Sequence, residues 1–351
     1  MFPKLVINTN KFRHNLRYLL DESHKFGISV MGVTKVFCSD PKLVQIMIEE
    51  GVDFIADSRI QNLKTISSYI PKVLLRLPMI SEAEDVVRFS SMSLNSEIDT
   101  IRALDHFAGE LDTVHKVILM IDLGDLREGI FDFEDVLTTV SKILKLKHIK
   151  LEGIGTNLTC YGGVIPSIEN MNNLVKIKRD IENEFEIDLP ILSGGNSSII
   201  ELLKSGKLPM SVNNVRLGES IVLGRETAYG DFLDNMYNDV FTLEAELIEI
   251  KEKPSIPIGE IGMNAFGKVP IFIDQGNMLR GIIAIGQQDV DYNELIPFDT
   301  VKMLGSSSDH IIVDLGDTLN IYDVGDKLSF RLTYASILSL STSKYVYKEY
   351  K

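Results

Sequence analysis

The sequence GVTKVFCSDP, residues 32–41, passes from a predicted strand into a loop and then into a helix. The apolar, β-branched run at 28–31 that precedes it is typical of a buried strand. Asp40, followed by proline, is a good N-cap residue, and a glycine follows the apolar pattern at 42–50. These signals predict a helix that begins after Asp40 and ends before that glycine.

Lys35 lies where this strand ends. A lysine at an apolar strand end costs free energy unless it is paired or its charge is removed. A covalent bond between its amine and an aldehyde cofactor removes the charge and makes the amine a reactive group. The alternative is a lysine that reaches solvent at the end of the strand. The stretch alone favours that alternative, and the remainder of the chain reverses the preference.

The composition is that of an ordinary globular protein, with 44% apolar and 25% charged residues in 351. This length allows one large domain and a smaller one. A formal net charge of -14 argues against a nucleic-acid or anionic membrane partner. The only cysteines, Cys38 and Cys160, form no disulfide framework or metal pattern. Without a membrane span or signal peptide, we expect a cytoplasmic protein.

The first two thirds of the chain alternate between strand and helix patterns. An opening helix is predicted over 10–26, since its apolar residues fall on one face. Eight apolar runs follow, at 29–35, 53–57, 72–76, 92–95, 116–122, 151–156, 190–194 and 213–217. Most are separated by helical patterns, at 41–50, 59–69, 82–89, 97–107, 134–145 and 167–184. This alternation predicts a closed (β/α)8 barrel that works at the carboxyl ends of its strands.

The predicted strand ends carry polar and cationic residues. They are Lys35, residues 57–59, Arg76, Asn95, Asp122 with Arg127, residues 156–157, 194–197 and 216–218. Strand ends are polar in any α/β fold, but this set is more cationic than an acidic chain leads one to expect. An anionic ligand accounts for it.

The Gly-rich turn SGGNSS, residues 193–198, follows the seventh strand and opens an apparent helix at 199–205. Glycines let backbone N–H groups approach an anion, and barrels often bind phosphate after strands seven and eight. The eighth strand adds residues 214–219. Many such turns bind nothing, but together with Lys35 this one favours pyridoxal 5'-phosphate.

After Tyr229 the pattern changes to β-like runs separated by turn residues. These runs are 241–249, 269–274, 280–285, 300–303, 310–313 and 328–333. We therefore expect a barrel domain over 1–230 and an all-β domain over 231–351.

Taken together, the motifs resemble the alanine racemase type of pyridoxal phosphate enzymes, and within it the ornithine racemase subfamily. The motifs that carry the resemblance are residues 32–36, 55–59, 119–129, 155–163, 193–198, 216–219, 223–227, 258–263 and 305–310. They span nearly the whole chain. The resemblance implies a barrel joined to a β domain, an amino-acid substrate and a head-to-tail homodimer in which each site takes residues from both chains.

The resemblance also implies roles for the barrel residues. Lys35 binds the cofactor covalently, and Ser197 holds its phosphate with the main-chain amides around Asn196, Gly218 and Glu219. Arg216 faces the pyridine nitrogen, to which an arginine gives no proton. This makes the ring a weaker electron sink and suppresses side reactions.

Arg127 matches the arginine that orients the cofactor oxygen and the substrate carboxylate. The alternative for Arg127 is an ion pair with Asp125 or Glu128.

Three positions depart from the alanine racemase pattern. Ser39 and Asn157 replace a tyrosine and a histidine near the cofactor, and Glu260 replaces the tyrosine base. Racemisation needs a proton acceptor on one face of the α-carbon and a donor on the other. Lys35 would serve one face and Glu260 the second, unless Glu260 is only a structural carboxylate.

Substrate choice is assigned to a loop of the β domain. Asp309, with Ser308 beside it, would bind the distal amine of ornithine, unless it only forms a turn. The alternatives are racemisation of alanine, lysine or another amino acid, or a decarboxylase or aldolase reaction. A non-catalytic single-barrel carrier of the cofactor is disfavoured by residues 232–351.

Overall fold

The structure, a computed structural model, describes residues 1–351. It contains two compact units, one formed by Lys11–Asn238 and the other by Met1–Asn10 together with Asp239–Lys351. The first ten residues belong to the second unit because strand β1 (Lys4–Ile7) pairs with residues 241–244 and 347–350 of that unit. The division expected at 230 and 231 had assigned them to the barrel.

The first unit contains a closed barrel of eight parallel strands. They are β2 (Ser29–Val33), β3 (Phe54–Asp57), β4 (Lys72–Leu74), β5 (Met92–Asn95), β6 (His115–Met120), β7 (Ile149–Gly155), β8 (Ile191–Ser193) and β9 (Asn214–Leu217). Each of the eight predicted apolar runs overlaps one of them. The prediction of a (β/α)8 barrel is confirmed.

Nine helices accompany these strands. They are α1 (Thr9–His24), α2 (Pro41–Glu50), α3 (Ile60–Thr65), α4 (Ala83–Phe89), α5 (Ile98–Glu110), α6 (Phe133–Ile143), α7 (Ile168–Phe185), α8 (Ile200–Lys204) and α9 (Glu219–Leu223). Helix α2 begins as its sequence predicts, because the Asp40 side chain accepts hydrogen bonds from the backbone N–H groups of Lys42 and Leu43. Gly51 ends it with a φ of 82°.

The barrel interior is filled by apolar side chains. Alternate residues of each strand point inward. The cluster they form consists of Met31, Val33, Ala56, Val73, Met92, Leu94, Ile118 and Met120. Because this cluster is packed, polar chemistry is expected at the strand ends and in the loops that follow them.

The second unit is an eight-stranded sheet with one helix. After β1 its elements are β10 (Phe241–Pro254), β11 (Asn277–Ile283), β12 (Leu295–Pro297), β13 (Lys302–Ser306), β14 (Ile311–Asp314), β15 (Lys327–Leu332), α10 (Tyr334–Thr342) and β16 (Tyr347–Tyr350). The main path runs β12-β15-β10-β11-β14-β13, and β1 pairs with β10 and β16. Only the β1–β16 pair is parallel.

The strand predicted at 269–274 is wrong. This segment has no regular structure, and Ile271 and Ile273 are 93% and 76% exposed. Its alternation of apolar residues imitates a strand, but no neighbouring strand pairs with it. None of the helices has the length and apolarity that a membrane span requires.

Candidate active site

Lys35 opens a 3-10 turn (Lys35–Phe37) directly after β2. The turn is tight, since Cys38 and Ser39 both have positive φ angles, of 53° and 50°. Burial lowers the pKa of the Lys35 ammonium, and the charge of Arg127 adds to this shift. Cys160, Asp57 and Glu219 act in the opposite direction. Lys35 is therefore deprotonated more easily than an exposed lysine.

Asp57, the last residue of β3, holds the turn that carries Lys35. Its buried carboxylate accepts hydrogen bonds from Thr34 Oγ1 at 2.6 Å and Ser39 Oγ at 3.3 Å, on either side of Lys35. It also accepts from the Arg59 N–H at 2.8 Å and Asn62 Nδ2 at 3.0 Å. Burial raises the pKa of Asp57, although these donors oppose the shift. Ser39, a departure from the family pattern, thus helps to fix the lysine turn.

Arg216, on β9, is only 4% exposed and contacts residues at the ends of β7 and β8. Its Nη1 donates to Ser193 Oγ at 2.6 Å, and its Nη2 donates to the Thr156 carbonyl at 2.6 Å and to Asn157 Oδ1 at 3.3 Å. Burial lowers the pKa of Arg216 to about 10, and Glu128 opposes the shift. The guanidinium therefore stays protonated at neutral pH.

The Gly-rich turn after β8 forms a cluster of hydroxyl groups. Asn196 accepts a hydrogen bond from the Ser198 N–H at 2.8 Å. The hydroxyls of Ser197 and Ser220 are 3.0 Å apart, and the Ser220 N–H donates to Ser197 Oγ at 3.3 Å. The predicted helix begins as a 3-10 turn (Ser197–Ile199) and continues as α8.

Gly218 follows β9 and lets the backbone approach β2. A Cβ at this position would lie 2.9 Å from the Cβ of Val33, which is closer than a side chain tolerates. The next residue, Glu219, has its carboxylate paired with Arg225, with Nε and Nη2 at 2.8 and 2.5 Å. This leaves the backbone of residues 218–219, rather than the Glu219 side chain, to bind an anion.

Arg127 forms the ion pair that the sequence offered as its alternative. Its Nε and Nη2 both donate to the carboxylate of Glu128, and this contact raises the pKa of Arg127. Asp125 accepts instead from backbone N–H groups of the loop after β7. A substrate carboxylate that bound Arg127, as the resemblance implies, would have to compete with Glu128.

Three buried polar atoms beside these residues have no hydrogen-bond partner in the protein. They are Thr156 Oγ1, Asn157 Nδ2 and Ser198 Oγ. Buried polar groups are normally paired, so each of these atoms points to a ligand that supplies the partner. An anionic, phosphorylated cofactor with ring oxygen and nitrogen atoms fits this set of hydroxyl, amide and guanidinium donors.

The predicted residues of the β domain lie in the second unit. Glu260 is exposed, within a stretch that lacks regular structure. Ser308 and Asp309 lie in the loop between β13 and β14, where Ser308 Oγ donates to Asp309 Oδ2 at 2.8 Å. The structure groups the predicted cofactor residues at the barrel strand ends, whereas the roles of Glu260, Ser308 and Asp309 stay predictions.

The sequence analysis placed Asp57 at a polar strand end and named Asp125 and Glu128 only as alternative partners of Arg127. It gave no site role to these three residues, nor to Cys160 and Ser220. Each of them ends a barrel strand or follows one within a few residues, which was the available signal. Cys160, which has no neighbouring histidine or cysteine in the sequence, accepts a hydrogen bond from Asn196 Nδ2 at 3.2 Å.

Comparison with known proteins agrees with this geometry. Residues 7–226 match the family model described as alanine racemase, N-terminal domain. The chain is 48% identical to an ornithine racemase of Acetoanaerobium sticklandii, over 99% of both chains. It is 38% identical to a lysine racemase of Thermotoga maritima, over 100% of this chain and 99% of the other.

A solved structure of alanine racemase from Bartonella henselae, described with covalently bound pyridoxal phosphate, has the same fold. Its TM-score is 0.74 at 16% identity, with 100% of each chain covered. The family model covers more than half of the chain, and both relatives match it along nearly its whole length. The chain therefore belongs to the alanine racemase N-terminal domain family.

Proposed function

We propose that the chain is a pyridoxal phosphate-dependent racemase that interconverts L- and D-ornithine. The observation that carries the chemistry is the grouping of Lys35, whose pKa is lowered by burial, with the buried Arg216 and the unpartnered Asn157 amide. The 48% identity to an ornithine racemase supports the choice of substrate. Racemisation of lysine is the second candidate, because a lysine racemase is 38% identical.

The barrel residues would hold the cofactor as follows. Lys35 Nζ provides the covalent attachment, and Ser197 with the backbone amides of Asn196, Gly218 and Glu219 binds the phosphate. Arg216 faces the ring nitrogen, and Asn157 offers its free amide N–H group to a ring oxygen. Pyridoxal phosphate, when bound, serves as an electron sink for the carbanion left when the α-proton departs.

Arg216 would limit this electron sink. Its guanidinium keeps its own protons at neutral pH, because a pKa of about 10 lies well above 7. It therefore donates a hydrogen bond to the ring nitrogen without protonating it. With pyridoxal phosphate bound, this unprotonated contact would favour simple return of the proton over side reactions.

Proton transfer would use Lys35 Nζ on one face of the α-carbon and the Glu260 carboxyl on the other. The lowered pKa of Lys35 increases the fraction of neutral amine at neutral pH, which a base requires. Glu260 is exposed within its own unit and so is free to receive a partner.

The substrate would be bound at both ends. Arg127 exchanges its ion pair with Glu128 for the substrate carboxylate, and Asp309 with Ser308 pairs with the distal ammonium. We further propose a cytoplasmic head-to-tail homodimer in which the β unit of one chain completes the site of the other. Mixing an inactive Lys35 variant with an inactive Glu260 variant should then restore part of the activity, because one hybrid site is intact.

The decisive experiment is incubation of the holoenzyme with L-ornithine and separation of the enantiomers by chiral chromatography. L-lysine and L-alanine are run in parallel. We expect the fastest approach to a racemic mixture with ornithine. Faster racemisation of lysine would replace the proposed substrate, and no racemisation of any amino acid would contradict the proposed function. A fully active monomer in ultracentrifugation would contradict the dimer.

A further inference from the structure

Asp125 is a buried carboxylate enclosed by the backbone of another loop. It lies in the loop after β6 and is 1% exposed. Its Oδ1 accepts from the N–H groups of Thr159 at 3.0 Å and Val164 at 3.1 Å. Its Oδ2 accepts from those of Tyr161 at 2.9 Å and Cys160 at 3.2 Å. One side chain thus holds most of residues 159–164, the loop after β7, which we term the β7 loop.

The β7 loop needs this anchor because its backbone is strained. Thr159 has a φ of 61°, in the left-handed region that favours glycine. A Cβ at Gly162 would lie 2.7 Å from the carbonyl oxygen of Asp125, so the loop passes too close for any other residue. Burial alone would raise the pKa of Asp125, but hydrogen bonds from the backbone of Tyr161, Val164 and Cys160 hold it below its ordinary value. The anchor is therefore an ionised carboxylate at working pH.

The anchored loop brings Cys160 into the cofactor cluster. Asn196 Nδ2 donates to the Leu158 carbonyl at 2.8 Å and shares its hydrogens with Cys160 Sγ and Asn157 Oδ1, each at 3.2 Å. Asn157 Oδ1 in turn accepts from Arg216. Cys160 also lies within electrostatic range of Lys35, Arg127 and Arg216. Its side chain is exposed, so a small molecule can reach the thiol.

A second observation places a ligand at this point. Asn157 is 8% exposed, and its Nδ2 has no acceptor in the protein. Its Oδ1 shares the Asn196 amide with the Cys160 sulfur. The unpartnered N–H group, which the proposed function gives to a ring oxygen of the cofactor, and the thiol therefore belong to one hydrogen-bonded cluster.

We propose that Asp125 is a positioning residue of the active site, holding the β7 loop so that the Cys160 thiol contacts the bound amino-acid substrate. This inference rests on the proposed function. Asp125 acts only through the loop, whereas Cys160 touches the substrate. No covalent step is involved, and the thiol is a contact surface for the substrate beside Lys35.

The test measures alkylation of both cysteines of the holoenzyme by iodoacetamide, followed by peptide mass spectrometry. L-ornithine should slow the labelling of Cys160 by on the order of tenfold or more, and Cys38 serves as the reference within each sample. In Asp125→Asn, this protection should fall below about twofold, because the amide cannot accept all four N–H groups. The KM for ornithine should rise by on the order of tenfold, and kcat should change less.

Asp132→Asn is the matched control. Asp132 also accepts two backbone N–H groups, at the start of α6, and the substitution removes one carboxylate from the same unit. This variant should keep both the protection of Cys160 and the KM. If Asp125→Asn fails to fold, Gly162→Ala provides the same test, because its Cβ separates the loop from Asp125 without altering the carboxylate.

The outcomes separate this inference from the proposed function. The contact is overturned if the native enzyme racemises ornithine but iodoacetamide labels its Cys160 equally fast with and without substrate. The positioning role is overturned if ornithine still protects Cys160 in Asp125→Asn. If that variant does not fold, the same result in Gly162→Ala overturns it. A native enzyme that racemises no amino acid overturns the proposed function, and the inference with it.

Discussion

The turn at Lys35 and the segment around Glu260 carry the two proposed proton-transfer residues, but they are built in opposite ways. The Lys35 turn is fixed by Asp57, whose carboxylate binds residues on both sides of the lysine. Around Glu260 the chain has no regular structure, and Ile258 and Met263 are 90% and 75% exposed. The barrel unit thus orders its reactive residue within one chain. The second unit presents its residue on a surface that a single chain leaves open.

The largest effect is expected at the ordered residue. Lys35→Arg keeps the positive charge but removes the amine that binds the cofactor and moves the proton. Racemisation should fall by on the order of 10⁴-fold or more, and the absorbance of covalently bound cofactor should disappear. Lys64→Arg, an exposed lysine of the same unit, should behave as the native enzyme. Near-normal racemisation by Lys35→Arg would show that the cofactor lysine is misassigned.

Glu260→Gln tests whether the open segment has a chemical role. Loss of one general acid-base group should lower kcat by roughly 10²–10⁴-fold. Exchange of α-deuterium should slow more for one enantiomer than for the other, because Lys35 still serves its own face. Glu252→Gln, another exposed glutamate of the second unit, is the control. An equal slowing for both enantiomers would assign Glu260 a structural role only.

Asp309→Asn sharpens the comparison at the level of binding. A hydrogen bond between a carboxylate and an ammonium contributes about 1.5–3 kcal/mol, which corresponds to roughly ten- to a hundredfold in affinity. The KM for ornithine should rise by that factor, while alanine turnover, which lacks the distal amine, should change little. Equal losses on both substrates would show that Asp309 only forms its turn.

The smallest effect concerns the stability of the barrel unit, at the amino end of β6. His115 is 2% exposed, and its Nε2 lies 2.9 Å from Ser93 Oγ. Burial lowers the pKa of His115 to about 4. The folded state then binds fewer protons than the unfolded state, so stability falls as the pH drops below about 6.5. At pH 5 the loss amounts to about 2 kcal/mol.

His115→Gln should remove this part of the acid sensitivity in urea unfolding at pH 7, 6 and 5. His106→Gln changes an exposed histidine and should retain the native pH dependence. An unchanged slope in His115→Gln would mean that other groups of the chain cause the acid sensitivity.

The barrel could be predicted because each of its strands has a recognisable pattern in the local sequence. Runs of apolar residues end in a polar turn, and Lys35 and Arg216 are both found at such ends. Strand β1 was missed because its partners are residues 241–244 and 347–350, and no local pattern encodes such distant pairing. The false strand at 269–274 shows the converse, a local pattern without a partner.

Residue types and positions at strand ends predicted only part of the candidate site. The roles of Asp57 and Asp125 depend on N–H and O–H donors brought to them by folding. Asp125, for example, binds a loop that begins more than thirty residues later. The ion pair between Arg127 and Glu128 was foreseen as an alternative because the two residues are adjacent in the sequence.

During synthesis, strand β1 cannot complete its pairing until the last strand of the chain has been made. Val6 pairs with Thr242 on one side and with Glu349 on the other. Ribosomes add roughly 5–20 residues per second. Strand β1 therefore exists for about 17 to 70 seconds before its last partner strand, β16, is synthesised. During that interval at least one edge of β1, a short apolar strand, is unpaired and can form hydrogen bonds with another chain. The nascent protein can therefore mispair at β1 until the final strand emerges, and a chaperone that covers β1 would act before then.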